Sequence, residues 1–135
     1  MFNTILVPVD VTTPKEAVKQ LKAAATLGGK LHAVNVVPDM GMSIVGSYFK
    51  DGFEEESAQN AMNELRDLVT EAGVDADLHV SSGTIYDQVI TMAKDLDVDL
   101  IVIGAHRPEL RDYLLGSNAA RMVRHSNRSV LVLRD

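Results

Sequence analysis

The sequence predicts a single-domain α/β protein built on a doubly wound parallel sheet, and three observations lead to that fold class. Five apolar, β-branched runs recur along the 135 residues. Runs such as Val130 to Leu133 do not alternate with polar residues, which is typical of strands covered on both faces. Amphipathic segments separate the runs, so strand and helix alternate, and the strands should be parallel with right-handed crossovers.

No repeat, linker or low-complexity tract divides the chain, so the predicted strands are expected to lie in a single sheet. We therefore expect residues 1–135 to form one domain. The five predicted strands are Thr4–Val9, Lys30–Val37, Ala76–Ser81, Leu100–Gly104 and Ser129–Leu133.

Helix boundaries follow from capping signals and helical spacing. The first helix is predicted to begin at Pro14, which suits the first helical turn, and to end before Gly28. Ligands of doubly wound sheets bind at the carboxyl ends of strands, near the reversal of strand order, so residues that follow strands are the functional candidates. The four predicted helices are Pro14–Leu27, Glu54–Ala72, Thr84–Leu96 and Asn118–His125.

Composition excludes several classes of protein. Cysteine is absent, so a disulfide framework, a thiolate nucleophile and a cysteine zinc site are impossible. No apolar run approaches the roughly 20 residues of a membrane span, and the first residues run into a strand rather than a signal segment. We expect a soluble, cytoplasmic protein with no membrane partner.

The net charge of −6 is distributed unevenly. Residues 1–103 carry seven Lys/Arg and sixteen Asp/Glu, whereas residues 104–135 carry six Arg and three acidic residues. Because nucleic-acid affinity comes largely from Lys and Arg, we expect no nucleic-acid partner for this acidic chain. A local Arg cluster fits a small phosphorylated ligand, although we interpret Arg121, Arg124 and Arg128 as solvated helix residues.

Residues 99–118 predict a phosphate-binding cradle. A buried strand ends at Gly104, a polar loop follows, and Gly116 and Ser117 open a helix. Free backbone N–H groups at a helix N-terminus, together with the helix dipole, favour an anion. No Lys follows the glycine, so this is not a Walker A loop.

Asp10 is a second candidate, because it follows the first strand directly. Its carboxylate could accept hydrogen bonds from a ribose or hold a metal ion through phosphate. It could instead cap the helix at Pro14, but Thr12 or Thr13 is nearer to that role. Val36 ends the second strand, where it could flank a purine ring, although by residue type it is a core residue.

The remaining titratable residues predict no metal site or catalytic set. His32, His79 and His125 share no metal-ligand spacing, so we interpret them as structural and leave any metal unknown. The acidic residues at 95–99 are interpreted as capping and solvating a helix-to-strand turn.

The chain resembles the universal stress protein family over nearly its whole length, in three stretches: ILVPVD at residues 5–10, SSGTIYDQVITMAKDLDVDLIVIG at residues 81–104, and LLGSNAARMVRHSNRSVLVLR at residues 114–134. The resemblance implies a five-stranded parallel sheet of order 3-2-1-4-5 with four helices, similar to the adenine nucleotide alpha hydrolases. It also implies an ATP site and a dimer.

The family's nucleotide pattern is Gly, two residues, Gly, nine residues, then Gly-Ser or Gly-Thr. Gly104, Gly116 and Ser117 match it, but Arg107 replaces the middle glycine, and eight residues separate it from Gly116. The Arg107 guanidinium could substitute a bidentate phosphate contact for backbone donors. The resemblance implies adenosine contacts at Pro8, Val9, Asp10 and Val36, phosphate contacts at Gly104, His106, Arg107, Gly116, Ser117 and Asn118, and Val130 near the ribose.

The function that the resemblance implies is that of an ATP-binding stress-response protein without strong catalysis. Its ligand would be the adenine nucleotide ATP, with or without Mg²⁺. Two alternatives stay open: a nucleotide-independent dimeric interaction module and a slow ATPase switch. The long connection Pro38–Asp51 could be a lid, a partner surface or a merely flexible loop.

The last strand, Ser129–Leu133, is the predicted dimer contact. It lies at the sheet edge in the implied order and is apolar, and such an edge needs a partner or a cover. We predict a homodimer through this strand, which the Pro38–Asp51 connection could double into a tetramer.

Overall fold

The computed structural model describes residues 1–37, 51–105 and 116–134, with the backbone alone for residues 51–55. Every predicted strand and helix is present, with bounds within three residues of those predicted. Residues 38–50, most of the long connection, lie outside the described residues. The elements in chain order are β1 Thr4–Pro8, α1 Pro14–Ala25, β2 Lys30–Val37, α2 Asp51–Ala72, β3 Ala76–Ser82, α3 Ile85–Asp95, β4 Leu100–Gly104, α4 Ser117–His125 and β5 Ser129–Leu133.

The five strands form a parallel sheet in the order β3-β2-β1-β4-β5. This confirms the doubly wound α/β class and the strand order that the resemblance implied. The chain moves outward from β1 through β2 and β3, then crosses to β4 and β5 on the other side. The reversal of strand order therefore lies between β1 and β4.

Helices cover both faces of the sheet, which explains why the strands are apolar without alternation. Successive strand residues point to opposite faces. On one face, α1 and α2 bury Ile5 and Val7 against Leu21 and Leu65. On the other face, α3 and α4 pack on a second buried cluster that includes Leu6, Val34, Val89, Ile101 and Met122.

The helices are of ordinary length, from nine residues in α4 to 22 in α2. Each buries one stripe of side chains, which in α1 contains Ala17, Leu21 and Ala24. Within the described ranges, none of them has the length and apolarity that crossing a membrane requires.

Candidate functional site

The boundary between residues 4–9 and residues 99–104 is here named the β1–β4 seam. The two strands separate at the carboxyl end of this seam. Its register covers two residue pairs, of which the second is Leu6 with Ile101. The register of β2 with β3, in contrast, covers seven pairs. Beyond the paired part, the Val9 N–H donates to the Val34 carbonyl of β2 at 3.0 Å, so the end of β1 stays with β2. The opening therefore lies where doubly wound sheets bind ligands.

A cavity of about 990 Å³ occupies this opening. Its volume lies at the upper end of the range of small-molecule sites, roughly 300–1,000 Å³. The lining comes from the carboxyl ends of β1, β2, β4 and β5 and from helices on both faces of the sheet. Seven of the residues predicted for the site line it together: Pro8, Val9, Asp10, Val36, Gly104, Gly116 and Asn118.

Of the other four predicted residues, the two that the structure describes, Ser117 and Val130, are not among the lining residues. Ser117 begins α4 but is not among the lining residues. Val130 packs on the α3 and α4 face of the sheet, and β5 reaches the cavity through Leu133 and the following Arg134 instead. His106 and Arg107 lie outside the described residues.

Asp10 organises the turn from β1 into α1. Its Oδ1 accepts hydrogen bonds from the Thr12 backbone N–H at 2.9 Å and from the Thr12 hydroxyl at 2.6 Å. This is the local turn that Asp side chains commonly form. Thr13, not Asp10, occupies the N-cap position of α1. Within the described residues, Oδ2 has no hydrogen-bond partner, so this exposed carboxylate keeps one oxygen for a ligand.

Gly104 supplies room rather than an unusual backbone conformation. Its φ is not positive, unlike that of Gly28. Among the described residues, a Cβ built on Gly104 would meet only the Gln20 Oε1 within 4 Å, at 3.9 Å. The described residues therefore leave room for a side chain here, and Gly104 lines the cavity.

The start of α4 forms another wall of the cavity. Gly116 is its N-cap, with φ −64° and ψ 159°, a conformation open to any residue. The Asn118 Oδ1 accepts a hydrogen bond from the Tyr86 backbone N–H at 3.3 Å, which ties α4 to the start of α3. The first N–H groups of α4 have no intrahelical partners and can bind an anion.

Gln20 is the cavity residue that sequence reasoning missed. The residue is 7% exposed, and its Nε2 donates to the Pro8 carbonyl at 2.6 Å and to the Val102 carbonyl at 2.8 Å. The carboxamide thus bridges β1 and β4 where their pairing has ended. The available signal was a polar residue on the apolar face of α1 near Ala17 and Leu21, since a buried amide needs partners.

The amino end of the seam is closed by Asp99. Its Oδ2 accepts from the Asn3 N–H at 2.9 Å and its Oδ1 from the Thr4 N–H at 3.1 Å. The hydrogen bond from Asn3, followed by that from Thr4, holds the pKa of Asp99 below its ordinary value. The interpretation of residues 95–99 as a solvated turn therefore missed this strand contact.

His32 and His79 are neighbours across β2 and β3, although their sequence spacing gave no sign of it. The His32 Nδ1 lies 3.0 Å from the His79 Nε2. Burial of His32, and then the nearby His79, lower the pKa of His32. No group of three His, Cys, Asp or Glu that could hold a metal ion occurs in residues 1–37, 51–105 and 116–134. The structural interpretation of both histidines stays a prediction.

The arginines that we interpreted as solvated helix residues, Arg121, Arg124 and Arg128, are not among the residues that line the cavity. Arg121 and Arg124 are exposed on α4, as expected. Arg128 lies beyond that helix, and its Nη1 contacts the Asp97 Oδ1 at 2.8 Å and the Val98 carbonyl at 3.1 Å. It is therefore a fixed contact to the turn before β4 rather than a solvated helix residue.

Comparisons with known proteins agree with the fold and with the resemblance. The model of the universal stress protein family matches residues 1–134. Universal stress protein G of Escherichia coli O157:H7 is 33% identical over 142 residues, which cover 99% of this chain and 100% of that protein. The stretch HRPELRDYLLGSNAARMVRH at residues 106–125 resembles the short bacterial members of the family, and universal stress protein F in particular, and this likeness stays a prediction.

Solved structures show the same architecture over the full length. The structure of MJ0577, a universal stress protein of Methanocaldococcus jannaschii, is 26% identical with a TM-score of 0.79, covering 100% of this chain and 97% of that one. A universal stress protein in complex with cAMP is 21% identical with a TM-score of 0.62, covering 98% of this chain and 97% of that one. On the family match and the full-length identity together, the chain belongs to the universal stress protein family.

Proposed function

We propose that this protein binds ATP in the cavity at the open end of the β1–β4 seam and acts as a cytoplasmic stress-response protein through nucleotide occupancy rather than strong catalysis. One observation carries the proposal. Residues far apart in sequence, to which the family resemblance assigns adenosine and phosphate contacts, line one cavity: Pro8, Val9, Asp10, Val36, Gly104, Gly116 and Asn118.

The cavity offers different chemistry at its two sides. Asp10 and Val36 provide a carboxylate oxygen and an apolar surface, which suit a ribose and a purine ring. Gly104 provides space, and Gly116 is the N-cap of α4, whose first N–H groups and helix dipole favour phosphate. An adenine nucleotide matches this division from base to phosphates.

A universal stress protein with this fold is in complex with cAMP, which supports an adenine nucleotide as the ligand class. Mg²⁺ usually reaches a protein through substrate phosphates and one or two carboxylates. We assign the Asp10 carboxylate to the ribose, and a contact with Mg²⁺ through the phosphates is the alternative role of this group.

The decisive experiment measures nucleotide in the freshly purified full chain and then titrates the emptied protein with ATP by calorimetry, with and without Mg²⁺. We expect co-purified or added ATP to bind at one site per chain, with slow or no release of ADP. A protein that is empty and ignores added ATP contradicts the proposal and favours the interaction module. Multiple turnovers to ADP would instead favour the ATPase switch.

We also infer a homodimer through β5. This strand pairs with β4 on one side and forms an edge of the sheet, and Leu131 is 36% exposed on it. A second copy could pair the same strand in a two-fold contact. Val132→Pro removes a backbone donor from the strand and should give monomers or aggregates in light scattering. A wild-type monomer at micromolar concentration contradicts the dimer, and a dimer that survives the proline places the contact elsewhere.

A further inference from the structure

We propose that Gln20 positions the sugar of the bound nucleotide by accepting a hydrogen bond from one of its hydroxyl groups. The inference rests on the proposed ATP site and deepens it, because it names the residue of α1 that reads one part of the ligand. The inference rests on the geometry of the Gln20 carboxamide. Gln20 belongs neither to the family's nucleotide pattern nor to the motifs of the sequence.

The orientation of the carboxamide is fixed by chemistry. The Pro8 and Val102 carbonyl oxygens, at 2.6 and 2.8 Å, can only accept hydrogen bonds. The NH₂ group of Gln20 must therefore face them, and both of its protons are used. The carbonyl oxygen, Oε1, is left pointing away from these two contacts.

The direction of Oε1 follows from Gly104. The oxygen lies 3.9 Å from the position that a Cβ on Gly104 would take, and both residues line the cavity. Within the described residues, no donor lies within hydrogen-bond distance of Oε1. Gln20 as a residue is 7% exposed and its amide is fixed by two carbonyls, so Oε1 is a held acceptor that is accessible from the cavity.

The chemistry of the acceptor selects which part of the ligand it meets. Phosphate oxygens carry no donors at neutral pH and repel a carbonyl oxygen. Gln20 spans β1, which carries the proposed adenosine contacts, and β4, which ends at the proposed phosphate contact Gly104. The sugar is the part of a nucleotide that joins base to phosphates, and its 2′ and 3′ hydroxyls are donors.

The test compares ATP with 2′-deoxy-ATP and 3′-deoxy-ATP on the full wild-type chain by calorimetry. The analogue that lacks the hydroxyl read by Oε1 should bind roughly tenfold more weakly, since it loses one hydrogen bond to an acceptor that the protein holds in place. The two analogues distinguish the 2′ from the 3′ hydroxyl. This measurement needs no variant, so it does not depend on whether a substitution at Gln20 folds.

Variants separate Gln20 from Asp10, which is the acceptor that we assign to the ribose. In Gln20→Met, which keeps the length but removes the amide, the difference between ATP and the weaker analogue should vanish. In Asp10→Ala the same difference should persist. If Gln20→Met does not fold, Gly104→Ala serves instead, because its methyl group would lie against Oε1 and should reduce the difference.

The possible outcomes separate the role of Gln20 from the existence of the ATP site. Equal affinities for all three nucleotides overturn the role of Gln20 and leave the ATP site in place. A difference that survives in Gln20→Met does the same. Failure of the wild-type chain to bind ATP overturns the proposed function, and the role of Gln20 with it.

Discussion

The two ends of the β1–β4 seam use the same two strands and reach opposite outcomes. At the amino end, the Asp99 carboxylate accepts two backbone N–H groups of the chain entering β1, and the strands lie together. At the carboxyl end, the Pro8 and Val102 carbonyls are joined through the Gln20 amide instead of by strand pairing. The first arrangement closes the seam, and the second leaves a cavity.

Where the seam opens, β1 stays paired with β2 and β4 stays paired with β5. The Val9 N–H donates to β2 at Val34, and the Ala105 N–H donates to the Leu133 carbonyl of β5, each at 3.0 Å. The opening therefore costs little backbone hydrogen bonding, because each strand is still paired on one side. The reversal of strand order, rather than a special strand sequence, determines where this protein can bind a ligand.

The largest expected effect comes from removing the bridge at the open end. Gln20→Leu keeps the volume similar but leaves the Pro8 and Val102 carbonyls without their donor. We expect the free energy of unfolding to fall by about 2–4 kcal/mol, measured by urea denaturation. The control, Lys22→Leu, changes an exposed residue of the same helix and should stay within about 0.5 kcal/mol of wild type. Equal losses in the two variants would show that the amide does not support the seam.

The second expected effect separates binding from folding at the same end. Gly104→Val fills space that the protein leaves open and should weaken ATP binding roughly tenfold to a hundredfold through overlap with the ligand. The midpoint of urea unfolding should change little, because only the Gln20 Oε1 comes near the added Cβ among described residues. Ala120→Val is the control, since it places the same valine side chain on the exposed side of α4. Unchanged affinity would move the phosphates away from Gly104.

The sequence was sufficient to predict the strands, the helices and the residues that follow strands, because periodicity and turn chemistry are local. It could not show that β1 and β4 separate at their carboxyl ends, since this depends on the pairing of β1 with β2 and of β4 with β5. The partners of Gln20 lie 12 and 82 residues away, and those of Asp99 lie 96 and 95 residues away. His32 and His79 meet through the register of β2 with β3. Contacts of this range depend on the assembled sheet and have no local signal.

The third expected effect concerns the rim of the open end. Asp10→Ala removes the oxygen that we assign to the ribose, so ATP and adenosine should both bind roughly tenfold more weakly, with or without Mg²⁺. Calorimetric titration with both ligands, in Mg²⁺ and in a chelator, measures this. A loss confined to Mg²⁺–ATP would make Asp10 part of a metal site, and no loss would limit it to the turn with Thr12.

The smallest expected effect tests the closed end and depends on pH. The hydrogen bonds from Asn3 and Thr4 lower the pKa of Asp99 in the folded protein. Its contribution to stability is therefore complete above the ordinary carboxyl pKa, near 3.8, and is lost as the pH falls through the lower folded value. At pH 7, Asp99→Ala should be less stable than wild type.

The difference in the free energy of unfolding between wild type and Asp99→Ala should shrink toward zero as the pH approaches about 2. Urea unfolding at a series of pH values from 7 downward measures it. Asp67→Ala, at an exposed position of α2, should show no such convergence. ATP affinity at pH 7 should be unchanged in Asp99→Ala, because the closed end lies outside the cavity lining. A loss of ATP affinity would mean that the two ends of the seam are coupled, so that closing one is a condition for opening the other.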